Sequence, residues 1–154
     1  ESSFIRTEAD EVHYNLHILM RYDLEKDLIN GNLKVNNIEE AWNERFKNDF
    51  GVEIKKSSDG FMQDVHWSAG LFGYFPTYTL GNIYAGCLYD KILNDVKPVM
   101  SEVQKGDLSS VIEWLTKNIY SYGSIKKPEQ LIADAIGRQP DEKSLNNYLN
   151  NKFL

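Results

Sequence analysis

Between Val12 and Leu28 an apolar side chain falls at every fourth position, Val12, Leu16, Met20, Leu24 and Leu28, with Leu19 beside them. That spacing lays one apolar stripe along a helix; a strand would need apolar residues at every second position. It predicts one long amphipathic helix from Phe4 to Ile29, stopped at Asn30-Gly31. Asn37 followed by Glu40 has the spacing of a capping box and predicts a second helix over 38–49, with Trp42, Phe46 and Phe50 on one face. Residues 51–60 show no period and read as a loop or short extended piece. Pro76 suits the first turn of a third helix, with Leu80, Tyr84, Leu88 and Ile92 as its buried stripe. Leu108, Ile112, Leu115, Ile119 and Tyr122 mark another helical face, closed by Gly123. Pro128 opens a helix ending at Gly137, and Pro140 a last one through Leu145 and Leu149. Strand alternation, internal repeats and dividing linkers are all lacking from the pattern. The expectation is an all-α chain of six or seven helices, one helical unit over residues 1–154.

With 154 residues, 42% of them hydrophobic, the chain can bury one core. A formal net charge of -6 argues against a nucleic-acid or anionic-membrane surface, since binding phosphates needs clustered Lys and Arg. The single cysteine, Cys87, lies in the apolar run IYAGCLYD. It permits no internal disulfide, reads as a buried, inert thiol and suits a reducing cytoplasm. No apolar run reaches the ~20 residues of a membrane helix. Residue 1 is Glu rather than Met and no signal peptide follows, so a truncated or processed cytoplasmic product is expected.

Three groups of residues have chemistry to offer. His13 and His17, four apart on the first helix, could share a transition metal, yet the zinc-peptidase motif needs Glu directly after the first His, and here that residue is Tyr14. A surface or packing pair is the plainer reading. His66, in GFMQDVHWSAGLFGYFPTY, could donate a hydrogen bond to a developing oxyanion with Tyr74 as a second donor, or be a half-buried histidine packed on Trp67. Ser68 shares only Ser-x-Gly with the hydrolase elbow and is discounted as a nucleophile. Arg6 could hold a substrate carboxylate bidentately or pair with Glu8 or Asp10.

Taken in order, IRTEADEVHYNLHILMRYDLEK, GFMQDVHW and GYFPTYTLGNIYAG resemble the C-terminal part of the carboxypeptidase Taq family of zinc metallocarboxypeptidases. The family pattern Ile-Arg-x-x-Ala-Asp is matched at Ile5, Arg6, Ala9 and Asp10. Gly-x-x-Gln-Asp-x-His-Trp is matched at Gly60, Gln63, Asp64, His66 and Trp67. The likeness extends through PEQLIADAIGRQPDEKSLNNYLNNKFL, which is similar to the family's natural end. The resemblance implies a helical peptidase fold with a deep cleft, related to angiotensin-converting enzyme and the neurolysin-like oligopeptidases. It implies an enzyme, generally a homodimer, that removes single residues from peptides with a free C-terminal carboxylate. On that likeness His66 and Tyr74 would polarise the scissile carbonyl, with Tyr78 nearby. Arg6 would recognise the terminal carboxylate, Gln63 and Asp64 would orient His66 and its loop, and the glycines would let that loop approach closely.

The family's His-Glu-x-x-His helix and the further Glu that complete its zinc site lie upstream of Ile-Arg-x-x-Ala-Asp and have no match here. His13 and His17 do not replace them. The chain is therefore expected to be roughly the C-terminal third of such an enzyme, with no zinc ligands of its own, inactive alone and prone to self-association. The alternative is a stand-alone, non-catalytic helical module that binds or regulates peptides.

Overall fold

A computed structural model describes residues 3–154. The first helix starts later than the apolar spacing suggests. Asp10, in extended conformation, accepts hydrogen bonds on its side chain from the backbone N–H groups of Val12 and His13, so α1 spans Glu11–Ile29 and the preceding Arg6–Glu8 forms only a 3-10 turn. An aspartate that satisfies two orphan amides at the mouth of a helix ends the helix there, whatever the hydropathy upstream. α2 spans Ile38–Phe50 and closes on Gly51, whose φ of +70° supplies the left-handed cap. Its start differs from expectation. Asn37 makes no capping bond and instead ends a 3-10 turn over Val35–Asn37, with Ile38 running straight on from it.

The remaining helices are α3 (Pro76–Asp95), α4 (Val99–Val103), α5 (Ser109–Asn118), α6 (Pro128–Ile136) and α7 (Lys143–Phe153). Seven α-helices and no strand occur among the described residues, an all-α fold. None of these helices is long and apolar enough to cross a membrane. The chain groups into two compact units, one running to Thr79 and the other spanning Leu80–Leu154.

The first unit packs α1 on α2. Met20, Leu24, Ile38, Trp42 and Phe46 are buried together, flanked by Phe4, Leu28, Phe50, Phe61 and Trp67. Trp42, Phe46 and Phe50 do share the inward side of α2, and the Phe46 and Phe50 rings stack with centroids 4.4 Å apart. On α1, Met20 and Leu24 of the spaced stripe are buried and Leu16 and Leu28 half-buried, while its first member Val12 and the neighbouring Leu19 are exposed. The buried surface also takes in Ile18 and the polar row His17, Arg21 and Glu25. That polar row positions the site described below.

In the second unit, Cys87, Ile132 and Ile136 form one cluster and Ile92, Val99 and Trp114 another, joined through Leu88. Of the stripe expected on α3, Ile92 is buried and Tyr84 and Leu88 pack against the core, but Leu80 is exposed, and Gly86 and Cys87 are buried beside them. A Cβ on Gly86 would lie 2.9 Å from the backbone nitrogen of Leu145, so glycine is what lets α3 and α7 meet backbone to backbone. Leu108, just before α5, and Ile112 on it are exposed, and Trp114 is buried. α6 runs as its Pro128 and Gly137 foretell, with Gly137 at φ +78°. α7 begins at Lys143, three residues after Pro140, with Ser144 buried.

Candidate functional site

The two motifs of the sequence fold onto each other. Asp64 is the hinge of the contact: its Oδ1 accepts from Arg6 Nη2 at 2.8 Å and its Oδ2 from Arg21 Nε at 2.7 Å. Both guanidinia are withdrawn from water, with side-chain exposures of 8% for Arg6 and 0% for Arg21, against 13% for Asp64. Gln63 ties the same two strips of backbone. Its side-chain oxygen accepts from the Arg6 amide at 3.0 Å, and its amide nitrogen donates to the carbonyls of Phe4 and Asp59 at 2.8 and 3.1 Å. Gln63 and Asp64 therefore clasp the Arg6 segment to the loop that carries His66. Burial alone would raise the Asp64 carboxyl, but the Arg6 hydrogen bond and the charges of Arg21 and Arg6 outweigh it and hold the group below its ordinary range.

Arg6 pairs with neither Glu8 nor Asp10. Its Nη1 donates to the Tyr14 hydroxyl at 2.9 Å, its Nη2 is held by Asp64, and its guanidinium lies over the Tyr78 ring at 4.9 Å. Those bonds engage two of its three guanidinium nitrogens, and the third, Nε, is buried without a hydrogen-bond partner. Arg21 donates through Nη1 to the His17 carbonyl at 2.9 Å and to His17 Nδ1 at 3.1 Å, and its guanidinium stacks over Trp42 at 4.6 Å. Since a guanidinium only donates, Nδ1 of His17 is the acceptor, and its Nε2–H donates to the Ser3 carbonyl at 3.0 Å. His17 is thus a neutral, buried imidazole. Burial, with the Arg21 charge next, pushes its pKa down to about 4.

His66 is buried, and it packs on Phe75 rather than on Trp67, with ring centroids 4.4 Å apart. Its Nε2 meets the Tyr78 hydroxyl at 3.0 Å, while Nδ1 has no hydrogen-bond partner and lies 3.7 Å from Asp64 Oδ1. Burial lowers the imidazole pKa, the Asp64 charge opposes, and the Arg6 and Arg21 charges add to the lowering. Tyr74 leans on both rings, 5.7 Å from His66 and 5.5 Å from Tyr78, and is the most exposed of the three at 44%. His66, Tyr74 and Tyr78 therefore form one aromatic group, backed by Asp64 and open to solvent at Tyr74.

Gly70 and Gly73 sit at φ +73° and +77°, where a Cβ is disfavoured by backbone conformation, and nothing of this chain lies within 4 Å of the place a Cβ would occupy. Here they permit the turns of the loop. Ser68 donates its hydroxyl to the Val65 carbonyl at 2.9 Å. His13 and His17 do not converge: the Nδ1 of His13 donates to the Asp10 carboxylate at 2.8 Å, and both nitrogens of His17 are engaged elsewhere. No group of three or more His, Cys, Asp or Glu able to hold a metal occurs among the described residues.

Sequence reasoning misses Tyr14, Arg21 and Glu25. The signal was present: His13, His17, Arg21 and Glu25 recur every four residues on one side of α1, a polar row parallel to the apolar one.

Ile-Arg-x-x-Ala-Asp and Gln-Asp-x-His-Trp thus close on each other within one helical unit, and comparison with known proteins names the family. The chain matches the carboxypeptidase Taq (M32) metallopeptidases over residues 1–153, and it belongs to that family. It is 42% identical to thermostable carboxypeptidase 1 of Thermus thermophilus over 153 residues, 99% of this chain and 30% of that protein. It is 38% identical to carboxypeptidase 1 of Bacillus subtilis over 151 residues, again 30% of the relative. Among solved structures it superposes on the metallocarboxypeptidase 1 of Trypanosoma cruzi with a TM-score of 0.94 at 33% identity, covering 99% of this chain and 32% of the other. The Pyrococcus furiosus carboxypeptidase gives a TM-score of 0.94 at 38% identity, with coverage of 99% and 31%. The chain thus spans about 30% of the length of the curated relatives it matches.

Proposed function

We propose that this chain is the substrate-facing portion of a cytoplasmic zinc metallocarboxypeptidase, which removes residues one at a time from peptides with a free C-terminal carboxylate. The observation that carries the reading is the group His66–Tyr78–Tyr74, beside Asp64 and exposed at Tyr74, in a chain that matches the family over residues 1–153.

Attack on a peptide carbonyl builds negative charge on its oxygen, and prepositioned donors lower the barrier most where that charge appears. His66 and Tyr78 can supply such a donor without any large movement. With the imidazole proton on Nδ1, it faces Asp64 and the Tyr78 hydroxyl donates inward to Nε2. With the proton on Nε2, the imidazole donates to the Tyr78 oxygen and the phenolic hydrogen is released toward an incoming oxygen. A developing oxyanion favours the second arrangement. Tyr74, more exposed, is the second donor. Arg6, bound to Asp64 and Tyr14, is the candidate for recognising the terminal carboxylate.

In this reading the activated water would come from a zinc site elsewhere in the enzyme. The described residues of this chain do not fit a zinc site, since His13, His17 and His66 each face a different partner. The ligands belong to a His-Glu-x-x-His helix of an upstream part, the first partner of this chain, and none of the steps assigned here passes through the metal. A homodimer of the completed enzyme is the second expected association. Alone, the chain releases no C-terminal residues.

A chimera tests the proposal. Residues 1–154 replace the matched 30% of the Bacillus subtilis enzyme, and peptide cleavage is measured with metal present. Release of C-terminal residues at a rate near that of the parent supports the reading; a folded, metal-loaded chimera that cleaves nothing overturns it.

A further inference from the structure

Glu25 lies one turn beyond Arg21 on α1 and is 5% exposed. A carboxylate so far from water needs donors for both oxygens, because each unsatisfied lone pair there is costly. Both donors come from the loop that carries the candidate site. Trp67 Nε1–H donates to Oε2 at 2.8 Å, and the Gly73 backbone N–H donates to Oε1. Trp67 directly follows His66, and Gly73 directly precedes Tyr74. One carboxylate on a core helix therefore holds the loop at two points, each adjacent to one member of the aromatic group.

The rest of the loop is built around those two points. Leu71 N–H donates to the His66 carbonyl at 2.8 Å and Ala69 N–H to the Val65 carbonyl at 2.9 Å, closing the turn between them. The Trp67 ring lies edge-on to Trp42 and Phe75, so the indole that Glu25 grips is also fixed to the core. Gly73 has a left-handed φ of +77°, and its N–H is oriented by a backbone that other residues adopt reluctantly. The internal turn sets the loop's own shape. Glu25 refers that shape to α1, the helix that also carries Arg21 and thereby reaches Asp64.

We infer that Glu25 is the positioning residue of this site, fixing His66 and Tyr74 relative to each other by binding Trp67 and Gly73 to α1. The inference rests on the reading of His66 and Tyr74 as the peptide-facing pair. A carboxylate suits the place because it accepts twice, whereas a glutamine of the same shape accepts once and would turn its own N–H groups on the other donor. Its charge also reaches His66, where it favours the protonated ring against burial and the two arginines.

The test is Glu25→Gln in this chain, followed by nuclear magnetic resonance without any peptide. The expected result is that the Trp67 indole and Gly73 amide protons exchange faster by roughly tenfold or more. The His66 to Tyr74 ring cross-peaks weaken and His66 titrates at lower pH, while amides of Leu24 and Phe46 stay protected. Unchanged exchange at Trp67 and Gly73, or unchanged ring cross-peaks, overturns the inference. Should Glu25→Gln unfold the chain, Trp67→Phe removes one donor and leaves the carboxylate in place. Loosened His66 to Tyr74 contacts in that variant then support the inference, and intact ones overturn it. The functional reading fails separately. If a peptide with a free C-terminal carboxylate leaves the His66 and Tyr74 signals of the chimera unmoved, that reading falls, and the clamp, observed without peptide, stands.

Discussion

Replacing Asp64 with Asn removes the one negative charge shared by two buried guanidinia. Asp64 accepts bonds of 2.8 and 2.7 Å from Arg6 and Arg21, whose side chains are 8% and 0% exposed, so neither cation can turn to water for compensation. Breaking a buried pair by neutralising one partner costs about 3–5 kcal/mol, chiefly because the charge left behind stays desolvated. Asn keeps the shape and one acceptor oxygen, which places the expected loss near the lower end, about 3 kcal/mol. With a urea m-value of about 2 kcal/mol/M, that moves the unfolding midpoint down by about 1.5 M. Tryptophan fluorescence follows it, since Trp42 and Trp67 both lie in the first unit, and Trp67 follows Asp64 by three residues. The mechanism makes a second demand. Adding Arg21→Met to Asp64→Asn removes one of the stranded charges, so the double variant is more stable than the sum of the two single losses by about 1–3 kcal/mol. A single-variant loss under about 0.5 kcal/mol, or strict additivity in the cycle, refutes the view that Asp64 neutralises this cluster.

Three further outcomes follow from other parts of the fold. His17 is neutral when folded, with a pKa of about 4 against 6.5 for the free side chain, so between those values the unfolded chain binds more protons. Its contribution is complete above pH 6.5 and is lost as pH falls toward 4, by about 3 kcal/mol in all, a slope that urea titrations should show in the parent and not in His17→Gln. Gly86→Ala forces a Cβ to within 2.9 Å of the Leu145 backbone nitrogen and destabilises the second unit by roughly 1–3 kcal/mol, read from Trp114; an unchanged midpoint would mean that α3 and α7 separate freely. Met62, Val65, Leu71 and Phe72 are exposed within a single loop, so the isolated chain should associate as its concentration rises, and a sharp monomer by sedimentation velocity would count against that.

Which parts of the molecule could be read from residue order depends on how far apart the interacting groups are. α6 is legible because its determinants are local: Pro128 sets the first turn and Gly137 adopts the left-handed cap. The end of α2 at Gly51 is legible for the same reason. The start of α1 was available too, since an Asp followed by a helical pattern is a cap, but the apolar residues Phe4 and Ile5 upstream extend the apparent period past it. The buried face of α1 is a different matter. Hydropathy assigns Arg21 and Glu25 to solvent, and their burial makes sense only with Asp64, 43 residues away, and with Trp67, 42 residues away. His66 and its two tyrosines were found because they cluster in sequence as they do in space. The partner of Arg6 is another long-range case: residue order points to Glu8 or Asp10, but it is Asp64, 58 residues on. Long-range ion pairs leave no trace in a single sequence beyond an unexplained charge on a helix face.

The central claim is that His66 and its tyrosines face the scissile peptide bond, and one kinetic comparison bears on it most directly. In the chimera carrying residues 1–154, kcat and KM for a dipeptide or short peptide are measured before and after His66→Ala. The account predicts a fall in kcat of roughly 10²–10³ with KM little changed, because the group acts on charge that exists only in the transition state. A variant that keeps its kcat, or one that loses only affinity, would contradict it.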